Sequence, residues 1–273
     1  MPRYLLYVVL SLCLLFMAFF GFKAYQYASD YEAYTTELVS HKGAKEQAKK
    51  QWSKFAKSIL GGFYHEDRNE TLAEIKVLQY QAMHHAKMYT GFFMIMLVLL
   101  LFSYFFIALR TFTFFASMAA MLSLVFGLIS PILMVTIHKE VEYLGDIVLS
   151  FESKGIMGSI MKLYDNGDWI VAAVVLLFSV ITPILKILSL FFISIFIEYT
   201  FAHRIVHFFK LIGKWSMVDV FVVAVFLVYL TANNGEVSRA EVEVGLYFFL
   251  AYVLVSMLVS LSADKMLQYY HDK

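Results

Sequence analysis

The sequence contains one cysteine, Cys13, and three prolines in 273 residues. A single thiol excludes a disulfide framework and a cysteine-built zinc site. Charge is scarce and balanced, with 22 Lys and Arg against 21 Asp and Glu for a net +1. No global attraction to nucleic acid follows from such a balance. Catalytic signatures are missing too: there is no G-x-x-x-x-G-K-[ST], no G-x-S-x-G and no H-E-x-x-H. No pair of carboxylates at membrane depth suggests hydrolysis. The chain is expected to be no enzyme and to hold no cofactor.

What is abundant is apolar surface. The hydrophobic fraction is 61% and the mean hydropathy +0.71, too apolar for an ordinary soluble domain. A spanning helix needs roughly 20 mostly apolar residues. Six runs qualify: 4–22, 89–109, 112–137, 169–197, 217–232 and 244–263. The first run follows Arg3, as a signal peptide would, but its apolar part is long and no A-x-A-like site closes it. An uncleaved anchor is the expectation. The expected fold class is an all-α integral membrane protein with six transmembrane helices.

Orientation follows from positive charge in short loops. Arg3, Arg110, and Arg204, Lys210 and Lys214 in the loop 198–216 mark the cytoplasmic side. The acid-rich loops 138–168 and around Glu236, Glu241 and Glu243 fall outside. Both termini are then cytoplasmic, with residues 264–273 as a tail. Residues 201–214 put His203, His207, Lys210 and Lys214 on one face, as in a helix lying on the cytoplasmic leaflet. A third ligand to join the two histidines is lacking, so no metal site is expected.

Two modules are expected. Residues 1–110 form a transmembrane pair. Its polar segment, 23–88, reads as an extracytoplasmic αα-hairpin broken at Gly61-Gly62. Tyr27, Tyr31, Tyr34 and Leu38 share one face of the first arm. They either pack on the second arm or form a docking face. Thr71-Leu-Ala-Glu74 is a capping-box pattern for the second arm, which then runs unbroken into the second crossing.

Residues 112–263 form a four-helix module with polar groups at membrane depth. Lys186 sits near the middle of the fourth run, and such a charge is costly in lipid. At about 100° per residue, Ser179, Thr182, Lys186 and Ser189 fall in one arc. Pro183 lies beside them and removes a helical donor. Ser130-Pro131-Ile-Leu133 echoes Thr182-Pro183-Ile-Leu185. Paired broken helices can mark a transport site, or two prolines merely kink two helices. Asp219 is the natural partner for Lys186, whose flexible stem can otherwise snorkel to the interface. In the sixth helix Tyr252, Ser256 and Ser260 repeat at four-residue spacing and can pack closely or line the same cavity.

One stretch is more specific: Trp215-Ser216-Met217-Val-Asp219-Val-Phe221 after Gly213-Lys214. Together with residues 150–186, it resembles the paraquat-inducible protein A family of bacterial inner-membrane proteins, over about 112–263. The resemblance implies association with a periplasmic MCE-domain protein and a role in moving phospholipid between membranes. It would make the polar, kinked pocket a receiver for a headgroup, with Lys186 as a point charge toward phosphate. The family often carries cysteine-rich zinc ribbons and sometimes two copies of the module. This chain shows one copy, has no cysteines for a ribbon, and reads Tyr229-Leu-Thr231 where the fifth helix often ends near a lysine. A non-transporting anchor or assembly scaffold, working through 23–88, is the competing expectation.

Overall fold

The computed structural model describes residues 3–42, 67–141, 145–196 and 238–271. Two long helices lead: α1, Arg3–Lys42, and α2, Asp67–Phe102. A short turn of tighter helix, Ser103–Phe105, joins α2 to α3, Leu109–Ile129. Strands β1, Leu133–Val141, and β2, Gly145–Lys154, follow. Helix α4, Ile156–Asp165, precedes α5, Trp169–Leu176. A wide turn, Leu177–Ile181, connects α5 directly to α6, Thr182–Phe196. Strand β3, Ser238–Val242, runs into the last helix, α7, Val244–His271.

Among the described residues five helical stretches are long and apolar enough to cross a membrane: Tyr4–Leu38, Ala73–Phe105, Leu109–Ile129, Trp169–Ile195 and Val244–Met266. The chain is a multi-pass membrane protein. Its outward faces carry Leu15, Phe19, Val98, Phe105, Leu185 and Leu261 in the open, which suits a solvent of acyl chains. The expected crossing at 217–232 lies outside the described residues.

The arms α1 and α2 pack antiparallel, as their pairings show: Cys13 donates to Met96 O at 3.3 Å, Tyr27 stacks on Tyr89 at 5.6 Å, and Gln79 Nε2 donates to Thr35 Oγ1 at 2.7 Å. Of the tyrosine stripe, Tyr31 is buried with Ala82 of α2 and Met134 of β1, and Tyr34 packs beside them. The stripe is therefore a packing face, and it ties the arms to the start of the sheet. The break expected at Gly61-Gly62 lies outside the described residues.

The expected all-α chain needs one correction. The spanning body is helical, but β1 pairs antiparallel with β2 on one side and with β3 on the other, in the order β2-β1-β3. The expected third crossing, 112–137, is shorter for the same reason. Helix α3 stops at Ile129, because Pro131 cannot donate and forces the residue before it out of the helical region. Ser130 is extended accordingly, at φ −78° and ψ 150°. The apolar residues from Leu133 to Ile137 then belong to β1. A β-rich apolar stretch after a helical run cannot be told from more helix by hydropathy alone.

The sheet is fused to the helices. Val242 of β3 pairs with Leu133 of β1, and the pairing continues past the strands. Glu243 N donates to Ile132 O at 3.0 Å, and Gly245 N donates to Pro131 O at 2.9 Å. Two donors of the first turn of α7, which a helix alone leaves unpaired, are satisfied by the chain leaving α3. Gly245 is required for this approach: a Cβ there would lie 2.6 Å from both the Ser130 and the Pro131 carbonyl oxygens. Lower down, Gly127 of α3 sits against the backbone of Phe249, 2.9 Å from where a Cβ would project. One core then joins α1, α2, α3, α6 and α7, with Phe93, Phe126 and Phe248 in edge and tilted contact at its centre.

Candidate functional site

Lys186 is buried, at 6% exposure, and its ammonium donates to Ser256 Oγ across the α6–α7 contact at 3.0 Å. Ser256 is fully buried and donates in turn to Val253 O at 2.9 Å. Tyr252, also fully buried, lies one turn away on α7.

The depth of this pair follows from the helix registers. Along α3 and α7, Thr113 meets Ser262 and Phe126 meets Phe248. That places Ser256 level with Met118 and Ala119. Along α3 and α6, Arg110 meets Ser194 and Phe114 meets Phe191, which places Lys186 level with Met118 and Ala119. Both converge on the middle of α3. A cationic group is thus held at mid-depth of an apolar body, where a charge is most costly. Its position is a built feature, not snorkelling toward an interface.

The local helix explains how Lys186 arrives there. Pro183 is fully buried and lacks the N–H an α-turn needs. The turn ahead of it widens to a five-residue repeat over Leu177–Ile181, which gives the ring room. Both the backbone N–H and the hydroxyl of Thr182 reach Leu177 O, the hydroxyl at 2.8 Å. The extra residue of that turn shifts the phase, so Ser179, half-buried, leaves the arc that straight-helix spacing assigns it. Ser189 is buried and its hydroxyl donates to Leu185 O, within α6. Leu185 itself faces outward, 48% exposed.

Pro131 and Pro183, matched in sequence, behave differently: the first ends a helix and the second sits inside one behind a widened turn. The echo of Ser130-Pro131 in Thr182-Pro183 is therefore not a structural repeat. Ser130 is fully buried, and its hydroxyl has no hydrogen-bond partner among the described residues. It belongs to the sheet junction, at the end of α3 away from the Lys186 level. Asp219, Trp215, Ser216 and Met217 lie outside the described residues, as do Arg204, Lys210 and Lys214.

Three features were not anticipated as parts of the site. Thr113 Oγ1 and Ser262 Oγ are 3.0 Å apart and buried between α3 and α7. The signal was Thr113 and Ser117 at four-residue spacing in an apolar run. Glu243, assigned from the sequence to an outer loop, is buried, at 5% exposure, at the start of α7. An acid there suits the positive end of the helix.

Arg110, expected only as a loop charge, clamps two helices. Its Nε donates to Ser194 O at 3.0 Å and its Nη2 to Ile195 O at 2.9 Å, while Ser194 Oγ donates back to Arg110 O at 2.8 Å. Because one planar fork serves two carbonyls, Lys is no substitute. Arg110→Lys is expected to cost about 1–3 kcal/mol, read as a lower unfolding midpoint in detergent. An unchanged midpoint would mean that the clamp is not a stabilising contact.

A crevice of about 820 Å³ opens elsewhere, lined by Leu6, Tyr7, Ser103, Phe106, Ile107, Ala108 and Thr111. It lies at the start of α3, well away from the Lys186 level.

The paraquat-inducible protein A family matches residues 110–271, from the Arg110 clamp to the end of α7 and more than half of the chain. The chain belongs to the paraquat-inducible protein A family. A curated relative from Haemophilus influenzae, a probable intermembrane transport protein, is 28% identical over 118 residues. That match covers 41% of this chain and 28% of the relative. No solved structure matches. The family match begins within two residues of the boundary expected between the modules, so α1 and all of α2 precede it.

Proposed function

We propose that this protein is an inner-membrane component of a lipid transport system. It passes phospholipid between the bilayer and a periplasmic MCE-type carrier, without chemical conversion, through the polar site around Lys186. Both termini are cytoplasmic, and the sheet and the packed arms of α1 and α2 face the periplasm. Membership of the family and the transport role named for the relative support the broad reading. The observation that carries the site is the buried Lys186–Ser256 contact at mid-depth: an ammonium on a flexible stem has three rotatable donors and can turn one toward a phosphate oxygen.

The test is photocrosslinking in cells with a probe at Thr182, half-buried one turn from Lys186, and a reference probe at Leu185 on the lipid-facing side. Leu185 is expected to capture bulk phospholipid regardless of the site. Capture at Thr182 is expected to be lost in Lys186→Ala while capture at Leu185 stays. Capture at Thr182 that survives Lys186→Ala would show that the lysine holds no lipid. The working part would then be sought in 23–88, as an anchor or scaffold.

A further inference from the structure

Helix α4 has three faces where a surface helix ordinarily has two. Ile156, Ile160 and Leu163 turn inward onto the core. Met157, Met161 and Tyr164 fall together about 100° further round, and they are open, at 39%, 65% and 70% exposure. Gly158, Lys162 and Asp165 occupy the next sector, exposed and polar or without a side chain. A helix wholly in water has no use for the second face. Exposed thioethers and a tyrosine in line adapt to irregular apolar surroundings, and an aromatic with a polar tip suits the boundary of lipid and water.

The placement of α4 says what covers that face. Its end is fixed by Gly167, at φ +88°, where Gly167 N donates to Tyr164 O at 3.1 Å and Asp168 N to Leu163 O at 3.0 Å. This pair of bonds is a Schellman stop, and it delivers the chain straight into the crossing that begins at Trp169. Trp169, Ile170 and Val171 are exposed at 64%, 60% and 50%, on a segment apolar enough to span. The open face of α4 is thus followed, after the exposed turn Asp165-Asn166-Gly167-Asp168, by exposed apolar surface on a spanning segment, which lipid covers. At its other end Gly155 rests on Ser130 and Pro131, where α3 leaves its helix.

We infer that α4 is an in-plane helix, with Met157, Met161 and Tyr164 seated in the lipid leaflet at the sheet end of the molecule. The inference goes beyond the transport reading and stands whether or not Lys186 holds a lipid. The interaction is with the leaflet's headgroup and upper acyl region, driven by apolar burial. Lys162 and Asp165 point to the water side.

The test uses the full chain in vesicles of phosphatidylethanolamine and phosphatidylglycerol, with Cys13→Ala as background. Nitroxide labels are placed singly at Met161→Cys, Asp165→Cys and, as a lipid-facing reference, Val174→Cys. Collision with oxygen, which partitions into lipid, is compared with collision with a water-soluble nickel chelate. The expected result is that Met161 matches Val174 in favouring oxygen several-fold, while Asp165 favours the chelate. A Met161 label as open to the chelate as Asp165, with Val174 still lipid-like, would overturn the inference. Shielding of Met161 from both reagents would also overturn it, because the face would then be covered by protein, a second copy included.

Discussion

Lys186→Met is expected to abolish lipid handling while leaving the protein folded. Methionine fills a space close to that of the lysine stem and brings no charge to desolvate. Ser256 itself is not orphaned, since it still donates to Val253 O. The variant is expected to stay folded, with its unfolding midpoint measured beside its lipid capture. Lipid capture at Thr182 should fall about tenfold or more, since hydrogen bonds to a charged group contribute about 1.5–3 kcal/mol and 1.4 kcal/mol corresponds to a factor of ten. Two measurements on one preparation separate the cases. A stable, inactive variant assigns the lysine to function. A stable variant of unaltered activity removes Lys186 from the mechanism, and a collapsed midpoint makes it a structural residue.

Gly245→Ala is expected to produce the largest loss of stability of any single methyl group added to the described part of the chain. The new Cβ would be placed 2.6 Å from two backbone carbonyl oxygens, of Ser130 and Pro131. Neither can rotate aside as a side chain would, so α7 must shift off the junction and strain the bond from Gly245 N to Pro131 O. A cost of about 3 kcal/mol, the upper end for overpacking, is the expected scale. Gly91→Ala is the matched control. An added Cβ there meets nothing within 4 Å, and alanine in a helix interior is favoured over glycine by about 0.5–1 kcal/mol. Thermal unfolding of both variants in detergent checks the contrast. Equal midpoints would mean that the junction relaxes freely.

The membrane body was legible because hydropathy over long windows answers one question, burial in lipid, and the described spans of α1, α2, α5–α6 and α7 pose only that question. The Tyr31 face was legible because helical periodicity survives even where hydrophobicity is ambiguous. The sheet was not. Leu133–Ile137 is apolar enough to extend α3, and only Pro131 hints at the change of state. Proline acted differently at its two internal sites, since a helix end next to a strand can absorb the lost donor while a helix middle must widen. Lys186 could be singled out as a charge in an apolar run, but Ser256 as its contact could not, because helix pairing is set by small residues such as Gly127 and Gly245 whose role shows only in three dimensions. Helix α4 was concealed by the acids at and just beyond its end, Asp165 and Asp168, which made residues 138–168 look like a loop.

The fusion of sheet and helices has a mechanical consequence. Chain passes from α3 into β1, and from β3 into α7, with the two passages hydrogen-bonded to each other at Pro131, Ile132, Glu243 and Gly245. Where most membrane proteins place a pliable loop at the water boundary, this one has a splint. A push or a twist applied to the sheet cannot be dissipated there and must be carried down α3 and α7 as one lever. The widened turn of the neighbouring α5–α6 helix, directly above Lys186, is then the softest place left beside it to yield.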